Sequence, residues 1–248
     1  MTLWRMELLR VTRTERWAPS LAVFLFFGLT GPLVIRYRSS LFKRVGGGIK
    51  VILPKPVPAD AIRQFLGNAQ TLGLLAVVIL AAGALAFDAH PEVSAFFRTR
   101  VDGTARLVAP KFALNAATAI AAFLAGLAVT WILTAVLLGN PSPAAMLEGA
   151  AGWAIYLCFA VALVAVSASI VRTQLGTVLL SLGTLIALPI LGLIPGVNGW
   201  LPTSLANAPL DLLQGTGLGH FLRAIVVTVV TTPVALWAAT KLADRREL

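Results

Sequence analysis

The side chains that could do chemistry in this chain are concentrated in one polar segment, residues 88–111. Asp88, His90 and Glu92 are close enough in sequence to ligate a metal ion together. Pro91 lies between them and the segment contains one histidine, so we interpret His90 as a solvated loop residue. The sequence contains neither an H-E-x-x-H zinc motif nor a G-x-S-x-G nucleophile motif. We therefore predict that the chain is not an enzyme and has no metal site.

The sequence also lacks a phosphate-binding loop of the G-x-x-x-x-G-K-[ST] type. Its glycine run, residues 46–48, is followed by Ile49 and Lys50 without the spacing that such a loop needs. The chain is thus predicted to hydrolyse no ATP and to carry no cofactor of its own. Cys158 is the single cysteine, so it can form neither an intramolecular disulfide nor a multi-cysteine metal site, and we interpret it as a packing residue.

Six long runs of the chain contain no Asp, Glu, Lys, Arg or His. Each run is close to the roughly 20 apolar residues that a helix needs to cross the hydrocarbon of a bilayer. Only 12% of all residues are charged, against roughly 25% in soluble domains. Buried core helices of a soluble protein are the alternative, but six such runs are implausible there. We predict an all-α polytopic membrane protein, a single domain over residues 1–248, with spans at 17–35, 71–87, 112–138, 149–171, 175–194 and 224–240.

The distribution of basic residues predicts how the chain is oriented. The net charge is +10, and the basic residues lie almost entirely between or beside the apolar runs. This placement favours lipid headgroups, not nucleic acid, as their partner. With the N-terminus inside, the inner segments contain twelve Lys and Arg residues and the outer segments eight. Because cytoplasmic loops carry an excess of these residues, we expect both termini in the cytoplasm. The Ala-, Gly-, Val- and Arg-rich composition is typical of bacteria, so we expect a bacterial cell (plasma) membrane.

The N-terminal segment, residues 1–16, has the pattern of an interfacial helix. Trp4, Leu8 and Val11 fall on one face of such a helix, and Arg10 falls on the opposite face. A helix of this kind lies in the plane of the membrane interface, with its aromatic residue buried and its arginines directed toward lipid phosphates. A frayed basic tail that only sets the orientation is the alternative.

Two further polar segments are predicted on the outer side. Residues 36–70 form the largest outer loop, with a Pro-x-Pro-x-Pro stretch that favours an extended path and with Asp60 at the N-cap of a short helix. We interpret this loop as solvated and basic; a small gate or substrate-contact element is the alternative. Residues 195–220 are rich in Gly and Pro yet keep apolar patches. That mixture favours re-entrant short helices that dip into the outer leaflet.

The polar segment 88–111 also has the pattern of an amphipathic helix. Pro91 stands at a first helical position and Gly103 at a C-terminal cap. Between them, Phe96 and Phe97 fall on one face together with two valines. Two adjacent phenylalanines on the cytoplasmic side need a surface that buries them. That surface could be the membrane interface, the helices of the protein itself or a groove on another subunit.

On these residues the chain resembles the membrane subunits of type-2 ABC exporters. That family has an interfacial N-terminal helix, six spans, a cytoplasmic coupling helix between spans two and three, and re-entrant outer helices between spans five and six. The family's coupling segment runs from an acidic residue through an apolar and basic helix and a basic turn to a lysine. The residues at the corresponding positions are Asp88 or Glu92, then Phe96, Phe97 and Arg98, then Arg106, and finally Lys111.

The resemblance implies that this chain is the permease subunit of an ATP-driven exporter. A second permease copy or a paralogue would complete the path as a dimer, and each coupling helix would dock into a separate nucleotide-binding ATPase subunit that binds ATP and Mg. The spans carry no charge that could bind a charged cargo, which favours a hydrophobic or amphipathic substrate such as a drug, a lipid-like molecule or a peptide. The residues expected to contact the ATPase are Glu92, Val93, Phe96, Phe97, Arg98, Arg100 and Arg106.

Other classes of membrane protein are alternatives to a permease. An ATP-independent channel or carrier usually places ionisable residues in mid-membrane, whereas Glu148 and Arg223 fall at the ends of predicted spans. The threonines of spans three and six are mild polar features, of a kind that more often makes helix–helix hydrogen bonds than a permeation path. A membrane scaffold or immunity protein without transport activity is the remaining alternative.

Overall fold

The computed structural model describes residues 3–45, 55–86 and 104–244. Within these ranges every regular element is helical and there is no β-strand. Along the chain the elements are α1 (Leu3–Arg13), α2 (Ala18–Val45), α3 (Pro58–Asn68), a π-helical turn (Ala69–Gly73), α4 (Leu74–Leu85), α5 (Thr104–Leu137), α6 (Pro143–Ile170), α7 (Gln174–Leu191), α8 (Ala208–Leu213) and α9 (Leu222–Asp244), with short 3-10 turns at Asn198–Trp200, Pro202–Asn207 and Leu218–Phe221.

Six helical stretches in the described ranges are long and apolar enough to cross a membrane, which agrees with the six charge-free runs of the sequence. The fourth span, α6, is the central helix, because 67% of the residues in its most apolar stretch are buried inside the protein. The fifth and sixth spans are peripheral, because only 17% of the residues in the most apolar stretch of each are buried. The six stretches are Ala18–Arg38, Pro58–Leu85, Ala105–Leu137, Pro143–Ile170, Gln174–Leu191 and Leu218–Asp244.

The segment 36–70, which the sequence predicts as an outer loop, is helical at both of its ends. α2 continues to Val45, because a helix can extend beyond the hydrocarbon wherever no Gly or Pro stops it. Pro58 opens α3, which continues through the π turn into α4 as one span. Asp60 is therefore not the N-cap: it lies in the first turn, where its carboxylate accepts a hydrogen bond from the backbone N–H of Val57 at 3.3 Å.

The N-terminal helix α1 forms as the sequence predicts, and it packs against α5. Trp4 and Leu8 are about half exposed, as the apolar side chains of an interfacial helix are before lipid covers them. Glu7 is buried, which the apolar pattern does not predict. Glu15 has a left-handed backbone conformation, with φ of 51°, and turns the chain from α1 into α2.

An aromatic cluster occupies the centre of the bundle. Phe123 of α5 stacks on Trp153 of α6 with ring centroids 4.4 Å apart and planes 11° apart. Phe24 of α2 and Phe65 of α3 each lie 5.8 Å from the Phe123 ring. All four side chains are 0% exposed. Each buried ring pair stabilises the fold by roughly 0.5–1.5 kcal/mol beyond the contribution of its buried area. This cluster therefore helps to hold four helices of the bundle together.

Two glycines allow α2 and α5 to cross closely. A Cβ atom on Gly28 would lie 2.5 Å from the carbonyl oxygen of Gly126, and a Cβ on Gly126 would lie 2.6 Å from that of Phe24. Small residues allow membrane helices to approach this closely. Thr130, which is fully buried, donates to the Gly126 carbonyl at 2.8 Å and approaches the Gly28 carbonyl at 3.5 Å.

Candidate functional site

The segment between α7 and α9 folds back onto the bundle as short helices and turns, and three hydrogen bonds hold it there. The indole Nε1 of Trp153 donates to the carbonyl oxygen of Ala206 at 2.7 Å. The amide Nε2 of Gln70 donates to the same carbonyl at 3.1 Å and to Oδ1 of Asn207 at 2.9 Å. We call these four residues the junction. It connects the second span and the fourth span to one point of the intervening segment.

Gln70 occupies the π-helical turn of the second span. A π turn is wider than an α-helical turn and is frequent at functional sites of membrane and soluble proteins. Here it interrupts a span that is otherwise continuous from α3 to α4. Gln70 reaches across to the Pro202–Asn207 turn from this position, more than a hundred residues away in sequence. The irregular turn is therefore the element that brings the amide to the junction.

Trp153 is held in place by the aromatic cluster, because its ring stacks on Phe123. The ring is fully buried, so its N–H group needs a hydrogen-bond partner inside the protein. The Ala206 carbonyl, itself buried, supplies that partner. A buried carbonyl oxygen has two lone pairs, and the donors on Trp153 and Gln70 satisfy both.

Close packing reinforces the hydrogen bonds of the junction. Gly149, one turn before Trp153 on α6, faces Pro209 at the start of α8, and a Cβ on Gly149 would overlap the proline backbone. The segment also buries apolar side chains against α6 and α9. These contacts agree with the predicted short helices of segment 195–220. The buried residues of the segment are Pro202, Thr203, Leu205, Ala206, Ala208 and Pro209.

Two charged groups, Asp211 and Arg223, belong to this segment or flank it. The Arg223 guanidinium, at the start of α9, lies 5.3 Å from the centroid of the Trp200 ring, a cation–π distance. Asp211 lies on α8, and its partial burial raises the pKa of its carboxyl group, an effect that His220 opposes. Both contacts lie within the segment or between it and α9, so they fix its shape but do not form a catalytic pair.

The junction contains no nucleophile, general base or group of metal ligands. Across the described ranges, no three His, Cys, Asp or Glu side chains come together at a metal-binding distance. What the junction can do is mechanical. A displacement of the second span relative to the fourth would break or shift hydrogen bonds to Ala206 and so move the segment between α7 and α9.

Most residues predicted to contact an ATPase lie outside the described residues. Arg106 is the exception: it lies near the start of α5 and is exposed. Lys111, about one turn further on, is buried. The structure brings neither residue near the junction. The predictions that fall outside the described ranges are those for Glu92, Val93, Phe96, Phe97, Arg98 and Arg100, together with Asp88 and His90.

The polar side chains of the spans mostly bond to their own helices. Thr118 donates to the Leu114 carbonyl at 2.7 Å and Thr228 to the Ala224 carbonyl at 2.5 Å. Thr130 alone of the threonines singled out in the sequence has another helix's carbonyl within hydrogen-bond reach. The other threonines of that set, all of them among the described residues, bond within their own helices, so helix–helix hydrogen bonding by these side chains is limited to Thr130. Thr231 and Thr232 also donate to carbonyls of α9.

Sequence reasoning did not single out Gln70 or Trp153. The signals were faint: an amide one residue before an apolar run, and a tryptophan inside another run. Tryptophan in a span needs a partner for its N–H group, and that requirement predicts a hydrogen bond but not the acceptor. The acceptor is a backbone carbonyl, which has no signature in the sequence.

The chain is similar to a known membrane protein. The chain is 23% identical over 226 residues to the uncharacterized transmembrane protein YxlG of Bacillus subtilis (strain 168), and the match covers 87% of this chain and 88% of that protein. No family model matches the chain, and no solved structure matches it significantly. The six candidate spans and this similarity together identify the chain as a helical multi-pass membrane protein.

Proposed function

We propose that the chain is the permease subunit of an ATP-driven exporter that moves a hydrophobic or amphipathic substrate with a separate ATPase subunit. The observation that carries this proposal is the junction. A segment between the last two spans is folded into short helices and is hydrogen-bonded to spans two and four, so a displacement of these two spans relative to each other would act on that segment. Transitions between two states shift packed helices relative to one another, and the junction would transmit such a shift to the segment.

The position of α1 relative to residues 87–103 supports the same proposal. α1 lies at the end of the bundle where α4 finishes and α5 begins, since Glu7 and Ala84 line one crevice. Residues 87–103 connect α4 to α5, so both of their flanks belong to the α1 end, whereas Gln70 of the junction lies midway along the second span, Pro58–Leu85. An ATPase docked on residues 92–100 would therefore act on the spans that carry Gln70 and Thr130.

Phe96 and Phe97 are the residues that we propose as anchors in the ATPase. Aromatic residues buried at the centre of an interface dominate its affinity, and their truncation often costs about 2 kcal/mol or more. Arg98 and Arg100 would pair with acidic groups on the ATPase. Charge pairs of that kind respond to ionic strength, so charge reversal at either arginine should weaken assembly in a salt-dependent way.

The test is copurification followed by reconstitution. The full chain is coexpressed with a candidate ATPase subunit from the same genome, and the complex is assayed for ATP hydrolysis and for ATP-dependent substrate efflux in proteoliposomes. The double variant Phe96→Ala and Phe97→Ala should release the ATPase or uncouple hydrolysis from transport. Phe26→Ala, at an exposed position of α2, is the matched control and should leave both activities intact.

Two results would contradict the proposal. In the first, the double variant retains a full complement of ATPase and transports at the normal rate. In the second, the purified chain alone conducts ions or moves substrate without ATP, which would favour a channel or carrier. A permease of six spans is half of the usual path, so the intact complex should contain two copies of this chain or one copy and a paralogue.

A further inference from the structure

A long apolar groove lies beneath α1. It has a volume of about 400 Å³, within the range typical of sites for small organic ligands. α1 forms one wall, and the first turns of α2 and the first half of α5 form the rest. Its lining is almost wholly apolar and includes two small residues that keep it open, Ala117 and Ala121. The other lining residues on which the argument depends are Leu8, Val11, Trp17 and Thr118.

A polar crevice adjoins this groove, and Val11 and Thr118 line both. The crevice contains the charged side chains of Glu7, Arg10 and Arg16. Its volume is about 20 Å³, room for little more than one water molecule. A headgroup would therefore lie at the mouth of the crevice, next to the groove, and not inside it.

The charges at the crevice do not balance. Glu7, which is buried, pairs with Arg10 at 3.5 Å. No carboxylate of the described residues lies within ion-pair distance of Arg16. Partial burial and the neighbouring charge of Arg10 both lower the pKa of the Arg16 guanidinium, while Glu7 raises it. Arg16 nonetheless stays protonated, because an arginine is charged at any physiological pH. One positive charge is left over beside an apolar groove.

We propose that the α1 groove binds one acyl chain of an anionic phospholipid, with the lipid phosphate held at Arg16 and Arg10. The occupant has to be amphipathic, because the apolar groove and the unbalanced charge are adjacent. It has to be anionic, because the crevice has an excess of one positive charge. α1 contributes to both parts of the site, so the bound lipid would fix this helix against α2 and α5. The proposal does not depend on the proposed transport function.

The test measures lipid binding to the full chain in detergent by native mass spectrometry. Dioleoyl phosphatidylglycerol and dioleoyl phosphatidylcholine are titrated separately, and the dissociation constant of the first bound lipid is determined for each. We expect the anionic lipid to bind about fivefold more tightly, the preference that one basic residue typically gives at an anionic surface. Free glycerol phosphate should not compete, because it has no chain to fill the groove.

Two matched pairs of variants locate the site. Arg16→Gln should remove most of the preference for the anionic lipid, whereas Arg13→Gln, at the exposed end of α1, should preserve it. Ala121→Trp fills the groove and should weaken binding of both lipids. Ala128→Trp, two turns further along the exposed face of α5, should not. Circular dichroism and size-exclusion chromatography check that each variant is folded.

Three results would overturn the proposal: equal affinity of the native chain for the two lipids, an equal loss of preference in the Arg13 and Arg16 variants, and unchanged binding after Ala121→Trp. The second result would mean that general surface charge, and not this site, selects the lipid. If Ala121→Trp fails to fold, the arginine pair and competition by glycerol phosphate decide the question.

Discussion

Trp153 on the fourth span donates its indole N–H to the carbonyl oxygen of Ala206 at 2.7 Å, and Gln70 on the second span donates to the same oxygen. Two spans thus meet at a single backbone atom of the segment between α7 and α9. The Trp153 ring is held by stacking on Phe123, and Gln70 lies in the π turn of the second span. The position of the segment therefore depends on the relative position of the two spans. Four predictions test this arrangement and the fold around it.

The first prediction concerns the Trp153 hydrogen bond. Trp153→Phe keeps an aromatic ring to stack on Phe123 but removes the N–H donor. The free energy of unfolding should fall by about 0.5–1.5 kcal/mol, the usual net value of one hydrogen bond, as measured by denaturant titration in detergent. Trp237→Phe, at a side chain that is 64% exposed, is the control and should have little effect. Equal stability of the two variants would contradict the prediction.

The second prediction concerns Gln70. Ala206 is 4% exposed, so a cysteine introduced by Ala206→Cys in a Cys158→Ser background should react slowly with a hydrophilic maleimide. Adding Gln70→Leu removes the amide donor and should raise the labelling rate several-fold, because the segment is then held less firmly. Gln214→Cys, at an exposed position of the same segment, should label fast with or without the Gln70 change. An unchanged rate at position 206 would show that Gln70 does not hold the segment.

The third prediction concerns the crossing of α2 and α5. Gly126→Ala places a Cβ atom 2.6 Å from the carbonyl oxygen of Phe24, so the helices must move apart and the protein should lose about 1–3 kcal/mol of stability. Gly183→Ala is the matched control, since a Cβ there meets no atom within 4 Å. That change should be neutral or should stabilise α7 by up to about 1 kcal/mol through helix propensity. Thermal unfolding in detergent measures both; equal midpoints would refute close packing at Gly126.

The fourth prediction concerns orientation in the membrane. In a Cys158→Ser background, cysteines introduced by Ser40→Cys and Gln214→Cys should react with an impermeant thiol reagent added to intact cells. A cysteine from Arg172→Cys, in the exposed turn between α6 and α7, should react only after the membrane is opened. The reverse pattern would place α1 and residues 87–103 outside the cell and remove the basis for an ATPase contact.

The sequence alone determines the number and the approximate position of the spans. The hydrocarbon of a bilayer imposes a minimum length on every crossing helix and excludes charge from it, so each span is a local property of its own residues. The same holds for the amphipathic pattern of α1. The ends of the helices do not follow from the charge-free runs: α2 continues to Val45, beyond the run that ends at Ile35, and α3 begins at Pro58, before the run that starts at Thr71.

Tertiary structure alone decides which faces of the spans meet. Spans that are apolar all round carry no periodic signal that says which side is buried, so neither the stacking of Phe123 on Trp153 nor the Gly28–Gly126 contact can be predicted from the run that contains it. The same is true of the junction. Its acceptor is a backbone carbonyl that every residue has, and only the packing of α6 against the segment, together with the π turn at Gln70, makes the Ala206 carbonyl the one that two spans share.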